Sequence, residues 1–300
     1  MDYCTPTSAG EALRILVEYN GDALIIAGGT DVLLDIRKGK QSPRVLVDIT
    51  RIPGIDDIVV EKECVEVGAA VTFAALERHP DLQARVHALV EAASAIGTAD
   101  IQNVATWAGN LVQAMPAADG AIVALALDAE ARLEDADGAR WQPVAHLFAG
   151  PGRSTVDSTR QIITRIRFRI PDRKWGTAWR RIGRRDSLVL PILNCAVKLE
   201  LAEGRIAHAT IALGPVAPIP FRATTAEKFL RGCEPGDSVF SEAAWIAQQE
   251  SNPRSSRARA SREYRLAALP ALVLDALVAA TTRAQSSSDQ LEKQYKGFRL

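Results

Sequence analysis

The feature that most constrains the fold is an apolar run that ends in two adjacent glycines. Residues 23–29, ALIIAGG, have the pattern of a buried strand, and Thr30 and Asp31 follow at once. Adjacent glycines tolerate positive φ and can turn successive backbone N–H groups toward one point. Such a bend binds phosphate through the main chain, often with a helix N-terminus behind it. The spacing fits neither the Rossmann nor the P-loop motif, and an ordinary tight turn is the alternative.

The two polar residues after the glycines have different expected roles in this bend. Thr30 can add a hydroxyl donor to the row of N–H groups. Asp31 is poorly suited to lie beside phosphate, so we expect its carboxylate to cap the following short helix. The segment VLLDIRKGK, which starts at Val32, has the composition of that helix or of a turn.

A second loop with similar chemistry lies at residues 105–119, ATWAGNLVQAMPAAD. Gly109 allows a ligand to approach the backbone closely, and Asp119 could accept a hydrogen bond from a sugar hydroxyl. Small or hydrogen-bonding side chains surround this glycine: Ala105, Thr106, Ala108 and Asn110. The alternative is a loop packed against the core, with its alanines chosen for their size.

Composition excludes several classes of function. The 36 Lys and Arg balance the 36 Asp and Glu, so no net field favours nucleic acid or an anionic membrane. The apolar runs are interrupted before the roughly 20 residues that a membrane span needs, and the N-terminus lacks a signal peptide. We therefore expect a cytoplasmic protein. The four cysteines and four histidines are scattered, which predicts no metal or iron–sulfur site and no disulfide on this chain.

The pattern of helices and strands predicts an α+β fold. The first fifty residues alternate helix, strand, helix and strand, with a capping box at Ser8 and Glu11. A domain boundary is expected at residues 171–176, PDRKWG. Beyond it, LPILNCAVKLEL and RIAHATIAL are expected to pair across a turn at Glu203 and Gly204. Helices follow, and residues 285–300 have the composition of a loose polar tail.

Together, the two loops resemble the flavin-binding medium subunit of the molybdenum hydroxylases, the family of xanthine dehydrogenase, carbon monoxide dehydrogenase and the quinoline and nicotinate oxidoreductases. The resemblance covers residues 1 to 284 and rests on the combination of AGGTD with NVATWAGNLVQAMPAAD. Four further segments are similar to motifs of that family: FAGPGRSTV, AWRRIGRRDSLVLPILNCAVKLEL, GPVAPIPFRATTAEKFLRG and SSRARASREYRLAALPALV.

The resemblance implies an FAD-binding domain of the vanillyl-alcohol-oxidase (PCMH) type at residues 1–172, divided into subdomains of about 1–55 and 56–172. A small α+β C-terminal domain of the carbon monoxide dehydrogenase flavoprotein type would follow at 173–284. By resemblance, FAD contacts would come from Ile26, Ala27, Gly28, Gly29, Thr30, Asp31, Val32, Ile96, Thr106, Trp107, Ala108, Gly109, Asn110 and Asp119. A basic residue beside the flavin ring would be Arg180 or Arg181.

This chain departs from the family pattern in the second loop. The family usually carries Ile-Gly-Gly where this chain has Trp107, Ala108 and Gly109, so Ala108 must shift the loop or already lie at negative φ. Trp107 can pack beneath the loop, which we favour, or flank the cofactor. No inserted cysteine cluster is present, which argues against the hydroxybenzoyl-CoA reductase branch.

The resemblance implies a subunit that transfers electrons, and no catalytic base or nucleophile stands out beside the loops. A large partner subunit would carry molybdopterin, and a small partner would carry [2Fe–2S] clusters that pass electrons to FAD. The expected assembly is a dimer of heterotrimers. Two alternatives are a free-standing FAD-dependent reductase on the same fold, and a non-enzymatic member that binds a nucleotide or helps to insert a cofactor.

Overall fold

The computed structural model describes residues 1–185, 190–257 and 259–296, the last without the side chains of 287–296. Within it, a small parallel sheet forms the N-terminal unit, in the order β1-β3-β2. Its elements are β1 (Asp2–Cys4), α1 (Ala9–Tyr19), β2 (Ala23–Ile26), α2 (Val32–Arg37) and β3 (Val45–Asp48). The N–H of Glu11 donates to the Ser8 hydroxyl, as the capping box predicts, although the Glu11 carboxylate accepts from Thr7 rather than from Ser8.

A second unit packs six helices against an antiparallel sheet in the order β4-β5-β10-β6-β7. Its strands are β4 (Ile58–Val60), β5 (Cys64–Gly68), β6 (Glu130–Asp135), β7 (Gly138–Pro143), β8 (Phe148–Gly150), β9 (Arg153–Ser154) and β10 (Ile162–Arg169), of which β8 and β9 pair separately. Its helices are α3 (Phe73–Arg78), α4 (Pro80–Arg85), α5 (His87–Ser94), α6 (Ala99–Gln102), α7 (Trp107–Val112) and α8 (Asp119–Ala126). The α8 helix is buried at every residue, because it lies between helices α5 and α7 of this unit and the C-terminal unit.

The C-terminal unit is a four-stranded antiparallel sheet in the order β11-β12-β13-β14, with helices packed on it. Its elements are β11 (Lys174–Ile182), β12 (Leu193–Ala202), β13 (Arg205–Gly214), β14 (Phe221–Arg222), α9 (Thr224–Leu230), α10 (Asp237–Glu250) and α11 (Arg262–Lys296). The predicted pairing across Glu203 and Gly204 is confirmed, since β12 and β13 join there. The predicted α+β class is confirmed as well. In two of the family-like segments, residues 186–189 and 258 lie outside the described residues.

One carboxylate connects the second unit to the C-terminal unit. Glu91 of α5 accepts the backbone N–H of Trp179 at 2.8 Å, and it also accepts from the guanidinium groups of Arg180 and Arg283. Beside it, the backbone N–H of Ala88 donates to the buried Thr177 hydroxyl at 3.0 Å. These bonds fix α5 against β11 and therefore fix the position of residues 179–181.

Helix α11 differs from the sequence-based expectation in length. It continues to Lys296, so residues 285–296 are helical rather than a loose tail, and no glycine or proline occurs between Pro270 and Lys296 to interrupt it. By length and composition alone, its part from Arg262 to Ser286 could span a membrane, although Asp275 and Arg283 interrupt the apolar run. In the structure 44% of the most apolar 18-residue part of this stretch is buried, and the helix packs across β11.

Gly176 sets the distance between β11 and α11. A Cβ atom placed there would overlap the carbonyl oxygen of Ala280 and lie 2.6 Å from the backbone nitrogen of Ala284. We expect Gly176→Ala to lower the free energy of unfolding by about 2 kcal/mol, because neither backbone can move freely. Gly10→Ala, at a helical site with nothing within 4 Å, should instead stabilise the chain slightly. Denaturant unfolding of both variants measures this, and an unchanged midpoint for Gly176→Ala would contradict the packing argument.

Candidate functional site

The two predicted loops meet at one cleft between the N-terminal and second units. The cleft has a volume of about 350 Å³. Of the residues predicted to bind cofactor, those that line it are Ile26, Ala27, Gly28, Gly29, Thr30, Asp31, Val32, Ile96, Thr106, Ala108, Gly109 and Asn110. The structure therefore brings Gly28 and Gly109 to one cavity, although they lie far apart in the chain.

Direct contact between the two backbones holds the loops together. A Cβ atom at Gly28 would overlap the carbonyl oxygen of Val104 and lie 2.7 Å from its carbonyl carbon and 3.1 Å from Ala105 Cα. Gly28 is thus required for the close approach of the second loop, and this is a different reason from the positive φ that the sequence suggests. Its neighbour Gly29 does have positive φ, at 68°.

The first loop presents a row of unpaired donors. Among the described residues, none provides a hydrogen-bond acceptor for the backbone N–H groups of residues 28–32, and the next N–H, that of Leu33, donates to the Gly29 carbonyl. Backbone donors in folded proteins nearly always have partners, and consecutive unpaired N–H groups at a helix start are the geometry that binds phosphate. The loop is therefore suited to an anion.

The role predicted for Asp31 as a helix cap is wrong. Asp31 stands at the N-cap position of α2, but its side chain accepts no capping hydrogen bond. Its backbone is helical there, with φ of −101° and ψ of −47°, whereas a capping residue is normally extended. Burial, followed by the nearby Asp35 carboxylate, raises the pKa of Asp31 above its ordinary value.

The second loop folds into the start of α7. The hydroxyl of Thr106 accepts the N–H of Gly109 at 3.1 Å and caps this helix. Ala108 lies within the helix and is absent from the residues with positive φ, so alanine in place of the family's glycine requires no shift of the loop. Asn110 borders the cleft, and its Oδ1 is buried without a hydrogen-bond partner among the described residues.

Trp107 belongs to the core rather than to the cleft. Its side chain is fully buried, its Nε1 donates to the Gly120 carbonyl at 2.9 Å, and its ring packs edge-on against Phe168. The Trp107 side chain therefore does not line the cleft with the other predicted contacts, since a helical turn points consecutive side chains in different directions. The packing role, the favoured alternative from the sequence, agrees with this placement.

Asp119 also lies outside the cleft. It is 7% exposed at the start of α8, and its Oδ1 accepts from Asn194 Nδ2 at 2.5 Å. Burial raises the pKa of Asp119 to about 7, while the bond from Asn194 and the charge of Arg181 act to lower it. The structure thus connects this carboxyl to the C-terminal unit, and not to the space between the two loops.

Arg180 and Arg181 line a second, open pocket of about 400 Å³ with Glu91, Trp179 and residues 94–95. Arg180 is paired with Glu91 at 3.2 Å and with Asp275 at 2.9 Å. Arg181 donates to the Ala95 carbonyl at 3.0 Å, and its guanidinium lies 5.8 Å from the centre of the Trp179 ring. Neither arginine lines the first cleft. Two consecutive residues line the two pockets, since Ala95 borders the second pocket and Ile96 borders the first cleft.

Sequence reasoning missed one wall of the cleft. Residues Val156, Ser158, Gln161 and Ile163 line it from a segment that lies far along the chain from both loops. The N–H of Ile25 donates to the Ser158 carbonyl at 3.1 Å, which holds this segment beside β2. In this region the sequence offered only the segment FAGPGRSTV, which ends at Val156 and is similar to a motif of the family. The remaining wall is mainly apolar: Ile25, Ile49, Ala69, Phe73, Ile101, Ala105, Val112 and Gln113.

A cleft with apolar walls and a row of unpaired backbone donors defines a protein that binds an anionic nucleotide cofactor. Comparison with known families identifies the class further. Residues 1–172 match the family described as the FAD binding domain in molybdopterin dehydrogenase, and residues 178–280 match the CO dehydrogenase flavoprotein C-terminal domain. The chain belongs to this family of FAD-binding subunits, as its loops suggested.

Individual proteins that are similar to this chain include FAD-binding subunits of the same family. The chain is 31% identical over 236 residues to the nicotinate dehydrogenase FAD-subunit of Eubacterium barkeri, which covers 77% of this chain and 79% of the relative. It is 29% identical over 266 residues to the putative xanthine dehydrogenase FAD-binding subunit of Escherichia coli K12, covering 88% and 90%. A chain of carbon monoxide dehydrogenase from Hydrogenophaga pseudoflava superposes with a TM-score of 0.88 at 30% identity, covering 94% and 98%.

The family confirms the resemblance, the oxidoreductase class and FAD as the cofactor. The cleft also fits FAD on physical grounds, since a diphosphate is an anion and the loop at residues 28–32 offers unpaired donors. The predicted contacts of individual residues with FAD stay predictions.

Gly28→Ala should weaken FAD binding, because the added Cβ forces the first loop away from Val104. We expect the dissociation constant of FAD to rise at least about tenfold, equivalent to about 1.4 kcal/mol. Fluorescence titration of the apoprotein measures this constant, with Gly10→Ala as the matched control. Unchanged affinity in Gly28→Ala would mean that the loop contact is not needed for binding.

Asp119 should make the apoprotein less stable as pH rises. The unfolded carboxyl, with a pKa of 3.8, ionises before the folded one, with a pKa of about 7, so the stabilising contribution is lost across that interval. Asp119→Asn removes this titration. Between pH 3.8 and about 7, the free energy of unfolding of the native chain should therefore fall by roughly 4 kcal/mol more than that of the variant. Denaturant unfolding at several pH values measures the difference, and parallel pH profiles would contradict the assignment.

Proposed function

We propose that this chain is the FAD-carrying electron-transfer subunit of a heterotrimeric molybdenum hydroxylase. In this assembly a large partner holds molybdopterin, a small partner holds [2Fe–2S] clusters, and electrons leave from this subunit to an external acceptor. The observation that carries the proposal is the row of unpaired N–H groups at residues 28–32, set in a cleft of a chain that belongs to this family.

The residues of this chain would bind and orient the cofactor. The N–H groups of residues 28–32 would hold the diphosphate, and Ile96 and Ile101 supply apolar surface beside it. FAD, when bound, supplies the ability to accept and release one or two electrons. Arg181 would contribute positive charge from the adjoining pocket, where Ala95 and Trp179 hold its guanidinium.

The cleft offers little acid–base chemistry of its own. Asp31 is the single ionisable side chain among the described residues that line it. A reaction that transforms an organic substrate usually needs a positioned base or nucleophile. The composition of the cleft therefore supports a subunit that relays electrons while the substrate is converted on another chain. We further propose a dimer of heterotrimers located in the cytoplasm.

Purification of the native complex tests this function. We expect the chain to co-purify with one larger and one smaller partner subunit. The complex should contain molybdenum and iron, and FAD should be bound to this chain alone. Reduction of the iron–sulfur partner should bleach the visible flavin absorbance in the complex. An isolated chain that reduces a substrate unaided would instead favour the free-standing reductase, and a chain that yields no FAD on extraction would favour a non-enzymatic role.

A further inference from the structure

A concentrated basic segment stands out on a chain without net charge. Residues 251–265, which include the connection from α10 to α11 and the first turn of α11, contain five arginines and one glutamate. The arginines are Arg254, Arg257, Arg259, Arg262 and Arg265, and we call the first four the arginine patch. The proposed function uses none of them, and none lines either of the clefts described above.

Local hydrogen bonds fold this segment into a compact loop. The N–H of Ser256 donates to the Ala260 carbonyl at 2.9 Å, and the N–H of Arg262 donates to the Ser255 hydroxyl at 2.9 Å. These bonds bring the start of α11 back toward the residues just after α10. The arginine patch is therefore gathered on one part of the surface, with Arg254, Arg257 and Arg262 exposed and Arg259 half-buried.

The patch has little acidic compensation among the described residues, since Glu263 is the one carboxylate in the segment and its charge interacts with that of Arg262. Within the described part of the chain, no carboxylate lies within 4 Å of any of its four guanidinium groups, whereas arginines elsewhere form many such pairs. The patch also surrounds the N-terminus of α11, where the helix dipole adds positive potential and favours anions. Folding thus places several arginines beside a helix N-terminus, with Glu263 as the single acidic residue of residues 251–265.

A buried arginine beneath the patch reinforces this conclusion. Arg265 is 2% exposed, and its guanidinium donates to the carbonyls of Ile192 and Pro215 rather than to a carboxylate. Its Nε is buried without a hydrogen-bond partner among the described residues. Burial, followed by the charges of Arg259 and Arg254, lowers the pKa of Arg265.

The surroundings of the patch have the composition of a protein interface. Tyr264 is 50% exposed at the start of α11. Leu190 is 55% exposed and lies two residues before Ile192, whose carbonyl accepts a hydrogen bond from Arg265. Arginine and tyrosine are the residues that most often dominate binding energy at interfaces, and a large exposed aliphatic side chain adds apolar contact. Long side chains on an open surface suit a broad acidic face better than a small enclosed anion.

We propose that the arginine patch, with Tyr264 at its edge, docks the carboxylate-rich surface of a partner protein subunit. The inference rests on the proposed function, because it assigns part of this chain's surface to the assembly of that complex. Complementary charges would speed the encounter and fix the orientation of the partner, with a strength that falls as salt rises.

The test neutralises the patch within the native complex. A triple variant, Arg254→Gln, Arg257→Gln and Arg262→Gln, changes exposed side chains without ion pairs in the described structure. The matched control, Arg14→Gln, Arg78→Gln and Arg231→Gln, removes the same charge from other exposed sites. Native mass spectrometry at increasing sodium chloride concentration measures the fraction of assembled complex for each protein.

We expect the patch variant to dissociate at least tenfold more readily than the native protein and to show a weaker dependence on salt, while the control matches the native protein. Protection of Arg254 and Arg262 from phenylglyoxal in the complex, but not in the free chain, would locate the interface independently. Equal affinity and equal salt dependence in both variants would overturn the docking surface while leaving the proposed function intact.

Two other results would also overturn the inference. A chain that assembles with no partner would refute the proposed function and the docking surface together. Titration calorimetry of the free chain with inorganic pyrophosphate gives the second result. Tight binding that the patch variant loses and the control retains would assign the patch to a small anionic ligand rather than to a protein.

Discussion

The contact between the Gly28 backbone and the Val104 carbonyl is the constraint on which the rest of the site depends. It joins a loop that ends a parallel strand to a loop that begins a helix in a different unit. Because no side chain separates the two backbones, the unpaired N–H groups of residues 28–32 face a cleft that both units share. A flavin dinucleotide needs such a shared cleft, since its diphosphate and its two ring systems extend over a longer distance than one loop can cover.

The C-terminal unit is tied to this site through Glu91. The carboxylate accepts from a backbone N–H and two guanidinium groups of the C-terminal unit, so β11 cannot move independently of α5. Partly buried charge pairs of this kind are costly to break, because a remaining charge loses its partner. The consequence is a fixed placement of Arg180 and Arg181 in the pocket that they line with Glu91. Asp119 and Asn194 form a second buried connection between the same two units.

The basic segment before α11 has a different character from these internal connections. Glu91 and Asp119 satisfy groups within the chain, whereas the four guanidinium groups of the arginine patch form no ion pair with a described carboxylate. A subunit of a larger assembly is expected to keep part of its recognition chemistry on its surface, because complementary groups are supplied by its partners. The internal charge pairs therefore connect the units of the chain, and the surface arginines are available to bind other proteins.

The sequence by itself determined the α+β class, the pairing of β12 with β13 and the two loops, because strand alternation, turn residues and adjacent glycines are local signals. It also predicted cofactor contacts at residues 26–32 and 106–110, and the cleft brings most of these residues together. Only the tertiary structure decided that Trp107 and Asp119 are buried away from the cleft, and that Val156 and Ser158 form its far wall. The direction of a side chain on α7 or α8, and the contact of segments distant in the chain, follow from the packing of whole units, which no local pattern of residues encodes.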